Sequence, residues 1–367
     1  MMKKKNDILF VQSRTHKAGA QTSLNRLAQA LMKSKFTPSA VFGQHGWLSE
    51  AFASNGLPQI VDKWPSPRSF IARMGGLNCF AKKTIVQLKR ANIHPKVIIA
   101  NDHQECPLAL SIAKRLKIPV VAILRSSGMT KAHFSKYRCG ETTHLFAVGM
   151  ELQSKVTRWN SEPCHLYTEG FTEDELINKH PKLSKTFPLK VLIVATPKQS
   201  KGIPDLLEAL SIIDKKRPDF GSLHCSFTCT PPEDSASKKY ILKNSKHKFN
   251  FIGRIEDLTG FARGFDFAIH PSRRETFGMA PLELMLSGVP TLSTDTGQSG
   301  QIGLPHSWLA PTSNPKALAK RILTWHDDWR GQSSQIHIIQ SNLQSQFDIR
   351  KTSQPFIEIL KELTLQS

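Results

Sequence analysis

The chain has 367 residues, with 50 Lys and Arg against 29 Asp and Glu, a net charge of +21 and an ordinary apolar share of 39%. That length predicts two domains, each able to bury a sizeable core. No run of about 18 apolar residues occurs, so no membrane-spanning helix is expected, and the apolar run at residues 8–11 is too short for a signal peptide.

Strands and helices alternate along the chain. Asp7, Ile8, Leu9, Phe10 and Val11 read as a first strand. The loop SRTHKAGAQ follows, and then a helix over residues 22–34 with Leu24, Leu27, Leu31 and Met32 on one face. Further strands are expected at residues 40–42, 97–100, 120–124 and 145–148, with a helix over 107–117. This rhythm predicts a parallel sheet with helices on both faces. A Lys-, His- and Pro-rich break at residues 176–188 marks a linker. The rhythm then restarts, with a strand at 190–195, a helix at 202–213, and strands at 223–229, 249–252, 266–270 and 289–292. Residues 347–363 form a last helical pattern. The fold class is therefore α/β, two Rossmann-like doubly wound domains with a cleft between them. Residues 1–178 make the first domain, onto which a C-terminal helix at 348–367 packs back, and residues 188–347 make the second.

The charge is uneven. Residues 1–180 hold 26 basic and 12 acidic residues; residues 181–367 hold 24 and 17. A basic half implies an anionic partner: membrane lipid, phosphorylated glycan or nucleic acid. A solvated surface is the plain alternative. Residues 66–90 mix Phe70, Ile71, Met74, Leu77 and Phe80 with Arg68, Arg73, Lys82, Lys83, Lys89 and Arg90. They read as a basic amphipathic segment for an anionic bilayer, or as a core helix with a basic outer face. The six cysteines are scattered, with no CxxC and no zinc spacing, which predicts reduced core thiols in a cytosolic protein. No acidic DxD pair, Walker loop, GxSxG or GxGxxG occurs, so no metal is expected.

Three loops suit ligands at strand ends. In HKAGAQ, Gly19 lets the backbone approach a phosphate at a helix start; alone it is a turn. In TPKQSKGIPDLLEAL, Lys198 and Lys201 can neutralise a diphosphate; alone they are solvated charges. The third stretch, ETFGMAPLE, places Glu275 before a short helix and Glu283 inside it. Pro281 suits a helix's first turn and Gly288 a helix stop. A carboxylate before that helix could accept sugar hydroxyls, and the later one a ribose diol. The bland alternative is a surface helix with ordinary acids.

Together these pieces resemble a retaining glycosyltransferase of family 4 with the GT-B fold, along most of the chain. The resemblance rests on AGAQTSLNRLAQALMKSKF, GWLSEAFASNGLP, YTEGFTEDEL, VLIVATPKQSKGIPDLLEAL, FIGRIEDL and FDFAIHPSRRETFGMAPLELMLSGVPTLSTDTG, in the family's order with its E-x7-E spacing. It implies that Glu275 contacts the donor sugar beside the reaction centre. Phe277, Gly278 and Met279 would offer backbone N–H groups, and Glu283 would bind the ribose. Lys201 would bind the diphosphate, Gly19 would let the first domain close onto it, and Arg254 and Ile255 would flank the base. Lysines and helix N-termini would stabilise the leaving diphosphate without a metal or other cofactor.

The chain departs from the family at four places. Thr196 stands where an Arg is usual, with Lys198 as a substitute; Arg125 replaces a His near the donor sugar; Glu169 replaces an Asn; Gln301 replaces a Glu. Arg125 is then a candidate for binding a charged sugar or acceptor. The implied activity is transfer of a sugar from a nucleoside-diphosphate sugar to a glycan or lipid-linked acceptor of a bacterial lipopolysaccharide core, capsule or other surface polysaccharide. The implied place is the inner face of the cytoplasmic membrane, with the enzyme peripheral to it. The alternatives are a GT-B sugar-nucleotide epimerase or hydrolase and a non-catalytic glycan-binding paralogue. A nucleic-acid-binding protein would need basic motifs interleaved with aromatics, and the chain has three Tyr and no known module.

Overall fold

The structure is a computed structural model that describes residues 7–65, 69, 76–176, 188–244 and 246–366. These divide into two compact units, one of residues 1–172 with 347–367, the other of residues 173–346. The predicted linker at 176–188 lies mostly outside the described residues, as do Arg68, Phe70, Ile71, Arg73 and Met74 of the basic segment.

The first unit is built on β1 (Ile8–Gln12), β2 (Pro38–Phe42), β3 (Gln59–Val61), β4 (Val97–Ala100), β5 (Val120–Leu124), β6 (His144–Val148) and β7 (Cys164–Tyr167). Their order across the sheet is β3-β2-β1-β4-β5-β6-β7, with every described pairing parallel. Strands buried on both faces need continuous apolar runs rather than alternation, and β1, β4 and β5 supply them as ILFVQ, VIIA and VVAIL. The second unit repeats the plan with β8 (Leu189–Ile193), β9 (Leu223–Phe227), β10 (Lys248–Phe251), β11 (Phe267–His270), β12 (Thr291–Thr294) and β13 (Leu309–Ala310), in the order β10-β9-β8-β11-β12-β13. The two units are Rossmann-like, as the alternation predicts. In each, the order reverses between its first and fourth strands, and the loops after those strands flank the crevice where such sheets take ligands.

Several local expectations are corrected. The first helix starts at Gly19, not residue 22, and spans Gly19–Lys33. Leu24, Leu27 and Leu31 are buried on it, but Met32, turned by about 100° from Leu31, is exposed. The last helical pattern is two helices, Ile349–Thr352 and Gln354–Gln366, broken at Ser353. All six cysteines are free; five are buried, but Cys79 is exposed. It lies on the helix Leu77–Arg90, whose Phe80, Ala81 and Leu88 join the core of the first unit. Lys82, Lys83, Lys89 and Arg90 face outward from that helix, and Lys83 pairs with Asp62 at 2.5 Å. The apolar side of this part of the basic segment is therefore spent on the core. No helix of the described residues is long and apolar enough to cross a membrane.

Candidate functional site

In the second unit, three loops at the carboxyl ends of β8, β11 and β12 are tied to one another. Gly202 has φ +69°, and a Cβ there would lie 1.8 Å from the Pro271 carbonyl oxygen, so only glycine lets these backbones meet. Arg273 N–H donates to the Ser200 carbonyl at 2.8 Å, and the Arg273 guanidinium grips Asp205 through two bonds of 2.7 and 2.6 Å. Such a fork is stiff in a way a lysine contact is not. From the other side, Thr296 Oγ1 accepts the Glu275 N–H at 3.0 Å and Gln298 N–H donates to the Phe277 carbonyl at 2.7 Å.

This frame brings Lys201 and Glu275 together across 74 positions of sequence, Nζ to Oε1 at 2.5 Å. His270, ending β11, places Nε2 3.1 Å from the same oxygen. Burial alone would push the Glu275 carboxyl up, but His270 and then Lys201 outweigh it and hold it down at about 2. The group is therefore ionised at every physiological pH. It can orient hydroxyls and balance positive charge, but it does not act as a proton donor.

The helix Met279–Leu286 begins directly after, with Gly278 in the left-handed region as its N-cap. The first N–H groups of such a helix have no acceptor within it, which favours an anion. Glu283 sits half-buried one turn in, Phe277 is buried, and Ile255 is half-buried beside an exposed Arg254. Lys198 is exposed in the same loop as Lys201. Thus Lys201, Glu275, Phe277, Gly278 and Met279 fall on two joined loops. Sequence reading passed over His270, Arg273, Asp205 and Thr296. The letters HPS before the acid are the one local signal that a histidine stands there.

The first unit has its own crevice. A cavity of about 260 Å³ lies among Gln12, Ser13, Asn101, Asp102, Glu105 and Ser126, at the ends of β1, β4 and β5. Glu105 Oε1 accepts from Ser13 N–H at 3.0 Å, Ser13 Oγ at 2.7 Å and Gln12 Nε2 at 3.2 Å, while Oε2 is buried without a partner. Burial pushes this carboxyl up to about 7, outweighing the hydrogen bonds from Ser13 and the charge of His103. Burial pushes Asp102 up as well, but hydrogen bonding and charge from His103 and the Arg125 N–H outweigh it and leave it low. Arg125 follows β5. Its guanidinium donates to Asn101 Oδ1 at 2.9 Å and pairs with Glu169, both side chains buried. Gly19 opens the first helix, and a Cβ there would meet nothing within 4 Å. The described residues hold no group of three or more His, Cys, Asp or Glu that could bind a metal ion.

Residues 188–328, most of the second unit and less than half of the chain, match the family model described as "Glycosyl transferases group 1". Among curated proteins, the chain is 22% identical over 229 residues to a glycogen synthase of Mycobacterium tuberculosis, covering 56% of this chain and 54% of that one. It is 31% identical over 233 residues to an uncharacterised glycosyltransferase of Methanocaldococcus jannaschii, covering 60% and 62%. The chain thus spans a little over half the length of these relatives. Among solved structures, it is similar to the Anabaena protein HepE crystallised with UDP-glucose, at a TM-score of 0.75 and 18% identity over 97% of this chain and 99% of that one. That likeness establishes the GT-B fold: two parallel Rossmann-like sheets. The joined loops at Lys201 and Glu275 lie within the residues that match the family model.

Proposed function

We propose that the chain is a retaining glycosyltransferase that moves a sugar from a nucleoside-diphosphate sugar to a glycan or lipid-linked acceptor without a metal. The observation that carries this is the Lys201–Glu275 pair beside a helix N-terminus, inside the domain that matches the glycosyltransferase model. Transfer builds positive charge at the anomeric carbon and negative charge on the departing diphosphate. An ionised Glu275 suits the first charge; Lys201, Lys198 and the N–H groups at Gly278 and Met279 suit the second. Glu283 is then the ribose ligand, and Arg254 and Ile255 flank the base. Lys201 meets Glu275 in this structure, so on this reading the incoming diphosphate takes over its ammonium.

The first unit is the acceptor side on this reading. Its cavity is lined by amide, hydroxyl and carboxyl groups together with Arg14 and His16, chemistry that suits sugar hydroxyls. Arg125 supports that lining through Asn101 rather than meeting an anion with a free charge. The basic balance of the chain fits a phosphorylated or lipid-linked acceptor of surface polysaccharide synthesis at an anionic membrane. The helix Leu77–Arg90 offers mainly its basic residues, since Phe80, Ala81 and Leu88 are buried in the core.

The test is calorimetry with a panel of nucleoside-diphosphate sugars, comparing wild type with Glu275→Ala and Lys201→Ala. Binding by wild type, weakened about tenfold or more in both variants, is expected. No binding of any member by wild type overturns the reading. Turnover of the donor without an acceptor, to a product other than simple transfer, favours an epimerase or hydrolase instead. Association with anionic vesicles that fades with salt tests the membrane part, and its absence at low salt removes it.

A further inference from the structure

His270 is enclosed to 4% side-chain exposure, and its ring is held by a strand rather than by a flexible stem. Residue 270 is in register with Ser293 of β12, and its carbonyl accepts from Thr294 Oγ1 at 3.3 Å. Nε2 meets Glu275 Oε1 at 3.1 Å, while Nδ1 is buried with no hydrogen-bond partner. A histidine kept only for packing would be expected to satisfy both ring nitrogens, because buried polar atoms are nearly always paired. Here one nitrogen is left without a partner and the other is spent on the carboxylate.

The division of contacts on Glu275 is lopsided. Lys201 and His270 both meet Oε1, which leaves the acceptor capacity of Oε2 unused. The two cationic or donor groups are also unlike. The ammonium of Lys201 rides on four rotatable carbons, suited to changing partners. The imidazole of His270 has two rotatable bonds and a fixed backbone.

From this we infer that His270 is a positioning residue for Glu275: it keeps Oε1 in place when Lys201 turns to the diphosphate, so that Oε2 stays aimed at the hydroxyls of the donor sugar. The assignment rests on the joined loops being the donor site. It predicts that His270 matters to the sugar and not to the nucleotide.

The full chain is tested by calorimetry with each nucleoside diphosphate and its sugar conjugate, starting with UDP and UDP-glucose and extending to the guanosine, adenosine, thymidine and cytidine pairs. The readout is the gain in affinity that the sugar confers. His270→Ala is expected to reduce that gain about tenfold and to change nucleoside diphosphate affinity less than about twofold, the loss of one hydrogen bond to a charged group. His270→Gln, which keeps a donor, recovers most of the gain. In a Glu275→Ala background the His270 change has no further effect. Equal weakening of nucleotide and conjugate, no rescue by His270→Gln, or effects of the two sites that simply multiply each overturn the assignment alone. If wild type binds no member of the panel, the donor-site reading falls and this assignment falls with it.

Discussion

Arg125 and Glu169 stand 44 positions apart in the chain and meet as a buried ion pair in the first unit. The contact couples the two positions. Arg125 would be an uncompensated charge beside β5 without Glu169, and Glu169 would be one without Arg125. Ser23 donates to the other carboxylate oxygen, and the guanidinium lies over the Tyr167 ring at 5.6 Å.

Removing one partner should therefore be worse than removing both. Arg125→Met or Glu169→Leu alone is expected to lower unfolding free energy by about 3–5 kcal/mol. The double variant should lose much less than the sum, by chemical denaturation at pH 7. Additive losses would show that the pair is not energetically coupled.

Glu105 makes stability depend on pH. A carboxyl that holds its proton more tightly in the folded chain stabilises fully below its ordinary range, and that contribution is lost as pH rises through about 7. Glu105→Gln keeps the shape and the acceptor oxygen without the charge. At pH 5 it should match wild type, and at pH 8 it should be more stable by about 3 kcal/mol. Denaturation curves at the two pH values decide this; identical differences at both would show that Glu105 does not titrate there.

Two glycines in ligand loops should answer differently. Gly202→Ala forces a Cβ against the Pro271 carbonyl at positive φ and is expected to destabilise by at least about 2 kcal/mol. Gly19→Ala meets open space and should leave the melting temperature unchanged. A fall in melting temperature for Gly19→Ala would mean that its glycine serves the fold and not a ligand.

Glu275→Gln should fold normally, since the amide oxygen can still accept from Lys201 and His270. If the charge of Glu275 acts on the reacting sugar, turnover with a bound donor falls about 10²-fold. Steady-state kinetics compare it with wild type. A loss below threefold would show that the charge of Glu275 does not act in the reaction.

The two parallel sheets were legible because strands buried on both faces must be apolar runs, and such runs recur at the spacing of βαβ units. The relation of Lys201 to Glu275 was legible only as two loops of one domain; that they touch depends on β8 and β11 being neighbours, which no local pattern encodes. His270 was hidden for a related reason. A histidine at a strand end looks the same in sequence whether its ring meets solvent, core or a carboxylate. Glu105 was missed because its meaning lies in its burial against Gln12 and Ser13, which come from the far end of the sequence of this unit. Met32 shows the limit of helical periodicity, since the neighbour of a buried leucine is turned by about 100° from it; Cys79 shows that cysteine spacing does not tell which face of a helix a thiol takes.

The closing stretch of the chain belongs to the unit that the opening stretch begins. Phe171 N–H donates to the Phe347 carbonyl at 2.7 Å, and the Phe356 ring packs 4.8 Å from Phe146 and 5.5 Å from Tyr167. During synthesis, then, the first unit to begin is the last to be completed. The second unit emerges whole from the ribosome while Phe146 and Tyr167 still wait for the ring that covers them.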